Sequence, residues 1–293
     1  MKRILITGAS GMLGATLVNK FKNKYNIFAT GNSFFDKQHS QYMKFDLSSE
    51  SYKKLFDWSN PDIIIHCAAL TNGNYCEENP KKAFLINGHS MSKIIKFSKK
   101  NTKIIYISSD AVFCSNVHMA SEDELTSPEN IYGKSKELGE KLLVESNKNY
   151  YIIRTTVVGK NINNNKQSFV DWIIKSSKAN IKITLFDDVL FTPISTLDLA
   201  SEIDYLITSN IKKGIYHISG KTVLTKYDFA KKLLNSMNYS SQNISKGKIT
   251  NFTKRAKRSN DQTLDSSFYM HLTKRDLPNI DITINSINLN NYE

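Results

Sequence analysis

Short apolar runs without polar alternation constrain the fold of this chain more than any other feature of its sequence. They occur at residues 2–7, 62–69 and 103–108, and each is rich in Ile or Leu. Strands of this kind are buried on both faces, which is typical of a parallel sheet covered by helices. Stretches with helical spacing alternate with them, so the first half of the chain predicts a doubly wound α/β domain.

Helix and strand positions follow from apolar spacing and from capping residues. Asn79 is a typical N-cap and Pro80 suits the first helical position, so a helix is expected from there to about residue 100. Further helices are expected at 15–23, 49–58, 131–147, 168–178, 197–208 and 226–237, and further strands at 26–30, 150–155 and 214–219. Residues 281–293, which are rich in Asn and Ile, are left unassigned.

A glycine-rich turn stands between the first predicted strand and the first predicted helix. Gly8, Gly11 and Gly14 have the spacing GxxGxxG. The first glycine permits a tight exit from the strand, the second leaves backbone N–H groups open to a pyrophosphate, and the third lets the helix pack close to the sheet. The helix N-terminus adds partial positive charge. At the first βα junction of a parallel sheet, this turn predicts a dinucleotide-binding site.

The end of the second predicted strand indicates which nicotinamide cofactor is preferred. An acid there would hydrogen-bond the ribose 2′-hydroxyl of NAD, but no acid precedes Asp36. Asn32 and Ser33 supply small donors for a 2′-phosphate, and Lys37 and His39 add charge. NADPH is therefore favoured, with NADH as the alternative.

Tyr132 and Lys136 are spaced to lie on one face of a predicted helix. An ordinary tyrosine pKa near 10 is too high for proton exchange at neutral pH, and a cation one turn away stabilises the phenolate and lowers that pKa. Ser108, Ser109 and Asp110 end the apolar run at 103–107, at the edge where open α/β sheets bind ligands. The three features together predict a general acid beside a hydroxyl donor, although each alone is compatible with a solvated pair or a turn.

These motifs resemble the extended short-chain dehydrogenase/reductase family over most of the chain. Within that family the chain is most similar to the dTDP-4-dehydrorhamnose reductase branch, also called RmlD-like. Besides the glycine turn and the Tyr132–Lys136 pair, the resemblance rests on residues 66–69 (HCAA), Asn87, 107–113 (ISSDAVF), 130–136 (NIYGKSK), Gly139, Glu140, Arg154, Thr155 and 214–217 (GIYH).

The resemblance implies a fold, a reaction and a division of the chain. The fold is a Rossmann-type doubly wound parallel sheet with a smaller C-terminal substrate-binding domain. Residues 1–156 would form the NAD(P)-binding domain, joined by a strand near 214–219, and residues 157–293 mainly the nucleotide-sugar-binding domain. The reaction is NAD(P)H-dependent reduction of the C4 keto group of a nucleotide-diphosphate-linked 6-deoxy-hexose, in the synthesis of bacterial surface polysaccharide sugars.

The resemblance also implies roles for individual residues. Tyr132 donates a proton to the forming alkoxide, Ser109 orients the carbonyl, and Lys136 binds the nicotinamide ribose. Further cofactor contacts are implied at Ser10, Met12, Leu13, Asp46, Leu47, Cys67, Ala68, Ala69, Thr71 and Ser108. Asp46 is equally compatible with the start of a helix. On the substrate side the implied residues are Ser109, Asp110, Val157 and Arg258.

Departures from the family pattern fall on the substrate side. Val157 stands where the reductases typically carry Trp, and the motif around Arg258 is only partly kept. The identity of the sugar and of its nucleotide is therefore left open, as is the stereochemistry of the product.

Two other functions in this fold remain as alternatives. Dehydration is disfavoured because Ala111 follows Asp110 where the 4,6-dehydratases carry Glu. An NDP-sugar epimerase and a non-catalytic NADP-binding regulatory subunit are the alternatives. A pure binder need not keep Tyr132, Lys136 and Ser109 together, which favours the reductase.

The net charge and the cysteine content limit which partners and which cellular compartment fit this chain. The 293 residues include 40 Lys+Arg and 27 Asp+Glu, a formal net charge of +13, which attracts anions. The basic run at 254–258 has no interleaved aromatics, so no nucleic-acid partner is expected. Cys67, Cys76 and Cys114 lack metal-site spacing and suit a reducing compartment.

Membrane and targeting signals are not expected in this sequence. No apolar run approaches the roughly 18 residues that a membrane span requires. The chain runs from Met1 directly into an apolar strand, which leaves no room for a signal peptide. We therefore expect a cytoplasmic protein without a membrane partner, with a homodimer as one option for its oligomeric state.

Overall fold

A seven-stranded parallel sheet forms the centre of the structure. The computed structural model describes residues 1–33, 41–48, 51–162, 166–251 and 256–289. In chain order the strands are β1 (Arg3–Thr7), β2 (Asn26–Gly31), β3 (Tyr42–Lys44), β4 (Ile63–His66), β5 (Lys103–Ile107), β6 (Asn149–Arg154), β7 (Val157–Val158), β8 (Ile183–Phe186), β9 (Leu190–Phe191), β10 (Ile194–Ser195), β11 (Gly214–His217), β12 (Leu224–Thr225), β13 (Ile244–Gly247) and β14 (Asp261–Gln262).

Helices flank this sheet and continue into the C-terminal half. In chain order they are α1 (Met12–Phe21), α2 (Tyr52–Ser59), α3 (Gly73–Glu78), α4 (Pro80–Ala83), α5 (Ser90–Phe97), α6 (Ile131–Val144), α7 (Phe169–Lys178), α8 (Thr196–Thr208), α9 (Lys226–Ser236), α10 (Ser267–Thr273) and α11 (Ile280–Leu289). A π-helical turn, Phe84–His89, joins α4 to α5. The helix expected after Asn79 is therefore present, with Pro80 in its first turn.

The strand order places a ligand crevice beside β1. The order is β11-β6-β5-β4-β1-β2-β3, with every neighbouring pair parallel. The chain leaves β1 to one side through β2 and β3 and then crosses to the other side at β4. This reversal opens the crevice at the carboxyl ends of β1 and β4, where doubly wound sheets bind ligands. The predicted Rossmann-type α/β fold is confirmed.

Both faces of the sheet are buried, which explains the uninterrupted apolar runs. Within β1, Ile4 and Ile6 belong to one apolar cluster with residues of α1 and α8, whereas Leu5 belongs to a second cluster with residues of α2 and α5. All three side chains are fully buried. A strand with helices on both sides has no solvent face on which polar residues would alternate.

The C-terminal half adds small sheets and a third apolar cluster. β8 pairs with β13, β7 pairs with β10, and β9 lies between β12 and β14. The unassigned segment near residue 281 contains α11, which packs against α8, α9 and β10. Its buried residues Ile280, Thr283, Ile284 and Ile287 share one helical face. The exposed residues between them weakened the apolar pattern in the sequence.

Two kinds of feature are missing from the described ranges. None of the helices there has the length and apolar character needed to traverse a lipid bilayer. Nor do the described side chains bring together three His, Cys, Asp or Glu residues in an arrangement that could hold a metal ion.

Candidate active site

The glycine turn forms a cradle against the neighbouring strand. Gly8 has a φ of +71°, and a Cβ there would lie 2.7 Å from the Ala68 backbone. A Cβ on Gly14 would lie 2.2 Å from the Gly8 carbonyl oxygen. Gly11 caps α1 and donates its N–H to the Gly8 carbonyl at 2.9 Å. Side chains are thus excluded where backbone N–H groups must approach a pyrophosphate.

Replacing Gly14 with Ala tests this close packing. Because the added methyl group would meet backbone atoms, we expect the substitution to lower the free energy of unfolding by about 1–3 kcal/mol and to weaken NADPH binding. Gly214→Ala is the matched control, since its Cβ would find its nearest neighbour at 3.8 Å. Chemical denaturation and calorimetric titration measure the two effects. Equal stability of the two variants would contradict the proposed packing.

Ser10 and Ser33 meet at the end of β2. The Ser33 hydroxyl donates to Ser10 Oγ at 2.9 Å, and Tyr42 donates its hydroxyl to the Ser33 carbonyl at 2.5 Å. Asn32 beside them is exposed. The predicted charges at Lys37 and His39 lie outside the described residues.

Asp46 and Leu47 have local structural partners. The Asp46 carboxylate accepts hydrogen bonds from the N–H and hydroxyl of Ser48, at 2.9 and 2.8 Å, before α2 begins at Tyr52. These bonds lower the pKa of Asp46. Leu47 is buried in the core, and its carbonyl accepts a bond from the Tyr52 hydroxyl at 2.8 Å. Asp46 therefore forms a local turn with Ser48 and does not start α2, whose N-cap is Ser51.

The loop after β4 is fixed by buried polar contacts. His66 bonds Thr7 through Nδ1 at 2.7 Å and Ser90 through Nε2 at 3.3 Å, and burial lowers its pKa to about 3. Burial also raises the pKa of the Cys67 thiol to about 12, which disfavours the reactive thiolate form. The other predicted cofactor residues of this loop are Ala68 and Ala69, which are half-buried, and Thr71, which is exposed.

Asn87 connects this loop to α6. Its amide nitrogen donates to Ser135 Oγ at 2.9 Å and to the Leu70 carbonyl at 3.0 Å, while its oxygen accepts from the Leu70 N–H at 2.7 Å. The side chain is fully buried. Asn87 therefore holds the loop beside the helix that carries Tyr132.

Tyr132, Ser109 and Asp110 lie together beyond the carboxyl end of β5. Ser109 follows β5 and donates its hydroxyl to Asp110 Oδ1 at 2.6 Å. Its oxygen also accepts the N–H of Ala111 at 3.2 Å. The Ser109 hydroxyl also interacts with the Tyr132 phenol and lowers the pKa of that phenol. Ser109 thus lies beside both the Asp110 carboxylate and the Tyr132 phenol.

The start of α6 explains how Tyr132 comes to lie next to Ser109. Asn130 caps the helix by accepting the N–H of Gly133 at 2.8 Å. A Cβ on Gly133 would lie only 2.1 Å from the Ala111 carbonyl oxygen. The glycine therefore lets the first turn of α6 approach the residues that follow β5, which places Tyr132 next to Ser109.

Lys136 lies below Tyr132 but does not lower its pKa as the sequence led us to expect. The Lys136 ammonium lies 4.0 Å over the Tyr106 ring and is buried, which lowers its own pKa to about 7. Burial raises the pKa of Tyr132 to about 12, opposed by its bond to Ser109 and reinforced by Asp110. Burial is the largest cause of this raised pKa, so the phenol is held in its protonated form.

A buried ion pair lies between α6 and β6. Arg154 donates to Glu140 from Nη2 at 2.8 Å and from Nε at 3.2 Å, and both side chains are only 4% exposed. Ser108 donates its hydroxyl to the same carboxylate at 2.5 Å. The Ser108 side chain, implied to face the cofactor, therefore belongs to this internal network.

Lys226 is a further cation in the crevice. The sequence analysis did not identify it. Its ammonium lies 3.4 Å from the Phe191 ring centroid, at the start of α9. Burial lowers its pKa to about 7, the Asp110 carboxylate opposes this, and Arg258 adds to it. Lys226 thus shares an electrostatic environment with Asp110 and Arg258, although more than 100 residues separate it from Asp110.

Arg258 and Val157 are the other two residues that the family resemblance implies on the substrate side. Arg258 is exposed. Its Nη2 atom lies near the start of α3, 3.9 Å from the position that a Cβ on Gly73 would occupy. Val157 lies in β7, opposite Ile194, and packs against the core. The cations Lys254 and Arg255 lie outside the described residues.

Comparison with known proteins identifies the family. The family model described as the RmlD substrate binding domain matches residues 1–287. The chain belongs to this family. A solved relative is the dTDP-4-dehydrorhamnose reductase of Bacillus anthracis in complex with NADP, with 28% identity, a TM-score of 0.86 and 99% of each chain covered. The predicted resemblance is therefore confirmed.

Two further relatives show how varied the functions of similar proteins are. The spore coat polysaccharide biosynthesis protein SpsK of Bacillus subtilis is 30% identical over 78% of this chain and 77% of its own length. Methionine adenosyltransferase 2 subunit beta of Xenopus laevis is 29% identical over 83% of this chain and 74% of its own length. The RmlD family resemblance thus extends both to polysaccharide biosynthesis and to a named subunit of another enzyme.

Proposed function

We propose that this RmlD-family chain uses NADPH to reduce the C4 keto group of a nucleotide-diphosphate-linked 6-deoxy-hexose. The observation that carries the proposal is the grouping of Tyr132, Ser109 and Asp110 at the carboxyl end of β5, in the same crevice as the glycine cradle. The Bacillus anthracis reductase with bound NADP supports both the reaction and the cofactor. The name of SpsK supports a place in surface polysaccharide synthesis.

The residues present fit a dinucleotide cofactor. The missing side chains at Gly8, Gly11 and Gly14 leave room for the pyrophosphate, and α1 directs its N-terminal N–H groups toward it. Lys136 would hold the nicotinamide ribose, and the anionic cofactor would favour its charged form. When bound, the nicotinamide supplies the hydride.

Tyr132 and Ser109 would perform the proton chemistry. The Tyr132 hydroxyl donates its proton to the sugar oxygen as that oxygen gains negative charge, which leaves a phenolate to be reprotonated from solvent. Ser109 turns its hydroxyl from Asp110 toward the same oxygen and orients the carbonyl. Asp110 holds the Ser109 hydroxyl in place before substrate binds.

We assign Lys226 to the sugar side of the cleft. Lys226→Met removes the charge near Asp110, and we expect it to lower kcat/KM for the keto sugar by about 10- to 100-fold while leaving the NADPH Kd unchanged. Lys231→Met, on an exposed position of α9, is the matched control and should behave as wild type. Steady-state kinetics and calorimetry measure these values. A loss of NADPH affinity in Lys226→Met would overturn the assignment.

The division of the chain and the compartment also belong to this proposal. Residues 1–156 with β11 would bind the cofactor, and residues 157–293 would supply most of the sugar site, including Lys226 and Arg258. The three cysteines are free, which supports a reaction in the reducing cytoplasm.

A regulatory, non-catalytic role is the second candidate. It is favoured by the similarity to methionine adenosyltransferase 2 subunit beta. Oxidation of NADPH in the presence of a dTDP-linked 4-keto-6-deoxy-hexose separates the two functions. The reductase consumes one NADPH per sugar, whereas a pure binder retains NADPH affinity without turnover. A panel of such sugars with other nucleotides and stereochemistry would define the substrate.

A further inference from the structure

Lys166 reaches the glycine turn from the C-terminal half of the chain. It lies between β7 and α7, and its ammonium is 3.4 Å from both the carbonyl oxygen and Oγ of Ser10. The contact joins residues 156 positions apart. Among the described residues, no carboxylate pairs with this ammonium, whose pKa is lowered by burial. A cation is therefore held against the cofactor cradle without a counter-charge from the described part of the chain.

The contact point marks the ribose end of the crevice. Ser10 also bonds Ser33, which follows β2 at the position where this class of fold reads the adenosine ribose. Gly31 makes the approach possible, because a Cβ there would lie 2.9 Å from Ser10 Oγ. No acid precedes Asp36 to bind a free 2′-hydroxyl. Two hydroxyl groups and one ammonium thus converge where a 2′-substituent would lie.

We infer that Lys166, with Ser10 and Ser33, binds the 2′-phosphate of NADPH and makes the protein prefer NADPH to NADH. An ammonium and two hydroxyl donors match a phosphate dianion, to which charge-assisted hydrogen bonds are strong. NADH offers a neutral hydroxyl at this position, so the ammonium would gain no counter-charge. The inference rests on the cofactor binding in the proposed function and is independent of the sugar.

Lys166→Met tests this assignment through binding alone. Calorimetric titration without sugar should show the NADPH Kd rising about 10- to 100-fold, with the NADH Kd changed less than about threefold. The same variant should lose affinity for 2′,5′-ADP but not for 5′-AMP. Lys166→Arg should retain most of the preference, because it keeps the charge. Lys175→Met, at an exposed position of α7, makes the same charge change as a matched control.

Two outcomes would overturn the inference. Equal weakening of NADPH and NADH would assign Lys166 to the pyrophosphate, which the two cofactors share. Unchanged binding of both would remove Lys166 from the cofactor site. In either case, continued reduction of the keto sugar by the wild-type protein would leave the proposed function intact. Failure of the wild-type protein to bind either cofactor would instead refute the proposed function.

Discussion

Tyr132→Phe is expected to lower kcat for the keto sugar by about 10²- to 10⁴-fold, the usual contribution of a positioned general acid. The substitution removes only the hydroxyl that interacts with Ser109 and leaves the ring in place. NADPH should therefore bind with nearly unchanged affinity. The contrast between lost turnover and kept binding distinguishes proton donation from a structural role of the tyrosine.

The measurement combines NADPH oxidation at saturating sugar with calorimetric titration of NADPH. Tyr239→Phe is a matched control, since it removes a hydroxyl from a half-buried tyrosine whose ring contacts Lys178 outside the crevice. That variant should retain wild-type kinetics. Turnover of Tyr132→Phe within about tenfold of the wild-type protein would show that another group supplies the proton.

Arg154→Met is expected to lower the free energy of unfolding by about 3–5 kcal/mol, because it leaves the Glu140 carboxylate buried without its partner. The pair is 4% exposed on both sides, and Glu140 also binds Ser108, which directly precedes Ser109. Loss of the pair should therefore also reduce turnover, through displacement of the residues that follow β5.

An exposed ion pair on the same helix provides the control for this prediction. Lys141 lies 3.0 Å from Glu137, with the Lys side chain 61% exposed. Lys141→Met should change the unfolding free energy by only about 0–1 kcal/mol. Joint replacement by Arg154→Met and Glu140→Leu should restore part of the lost stability. Equal denaturation midpoints for Arg154→Met and Lys141→Met would contradict the proposed contribution of burial.

Much of the fold could be predicted because its signals are local. The runs around Ile4 and Ile104 are apolar throughout, and the sheet buries both faces of them. Pro80 correctly indicated a helix start. Helix α11 was missed because its buried Ile residues are separated by Asn and Ser, so its apolar face became apparent only against α8 and α9.

The candidate site, like the fold, combines features that the sequence could predict with features that it could not. The spacing of Gly8, Gly11 and Gly14 and that of Tyr132 and Lys136 are visible in the sequence, because each set lies within a single turn or helix. Lys226 and Lys166 gave no such signal. Each reaches its partner across more than 100 residues, and in the sequence each is one of 40 basic residues. Only tertiary packing distinguishes them from solvated lysines.

The spacing of residues in the sequence also could not predict the pKa of Tyr132. A lysine four residues away predicted a lowered pKa, but the side-chain directions place the Lys136 ammonium over Tyr106. The phenol instead faces Ser109 and Asp110, and burial raises its pKa to about 12. Sequence spacing gave the shared helix face, whereas burial and side-chain direction determined the electrostatics.

Transfer of deuterium from NADPH to the sugar tests the central claim most directly. NADPH carrying deuterium at both C4 positions is incubated with the protein and a dTDP-linked 4-keto-6-deoxy-hexose, and the product is examined by NMR. We predict one deuterium at C4 of the sugar for each NADPH oxidised. Isomerisation of the sugar without net NADPH oxidation, or binding of both ligands without any product, would contradict the reductase account.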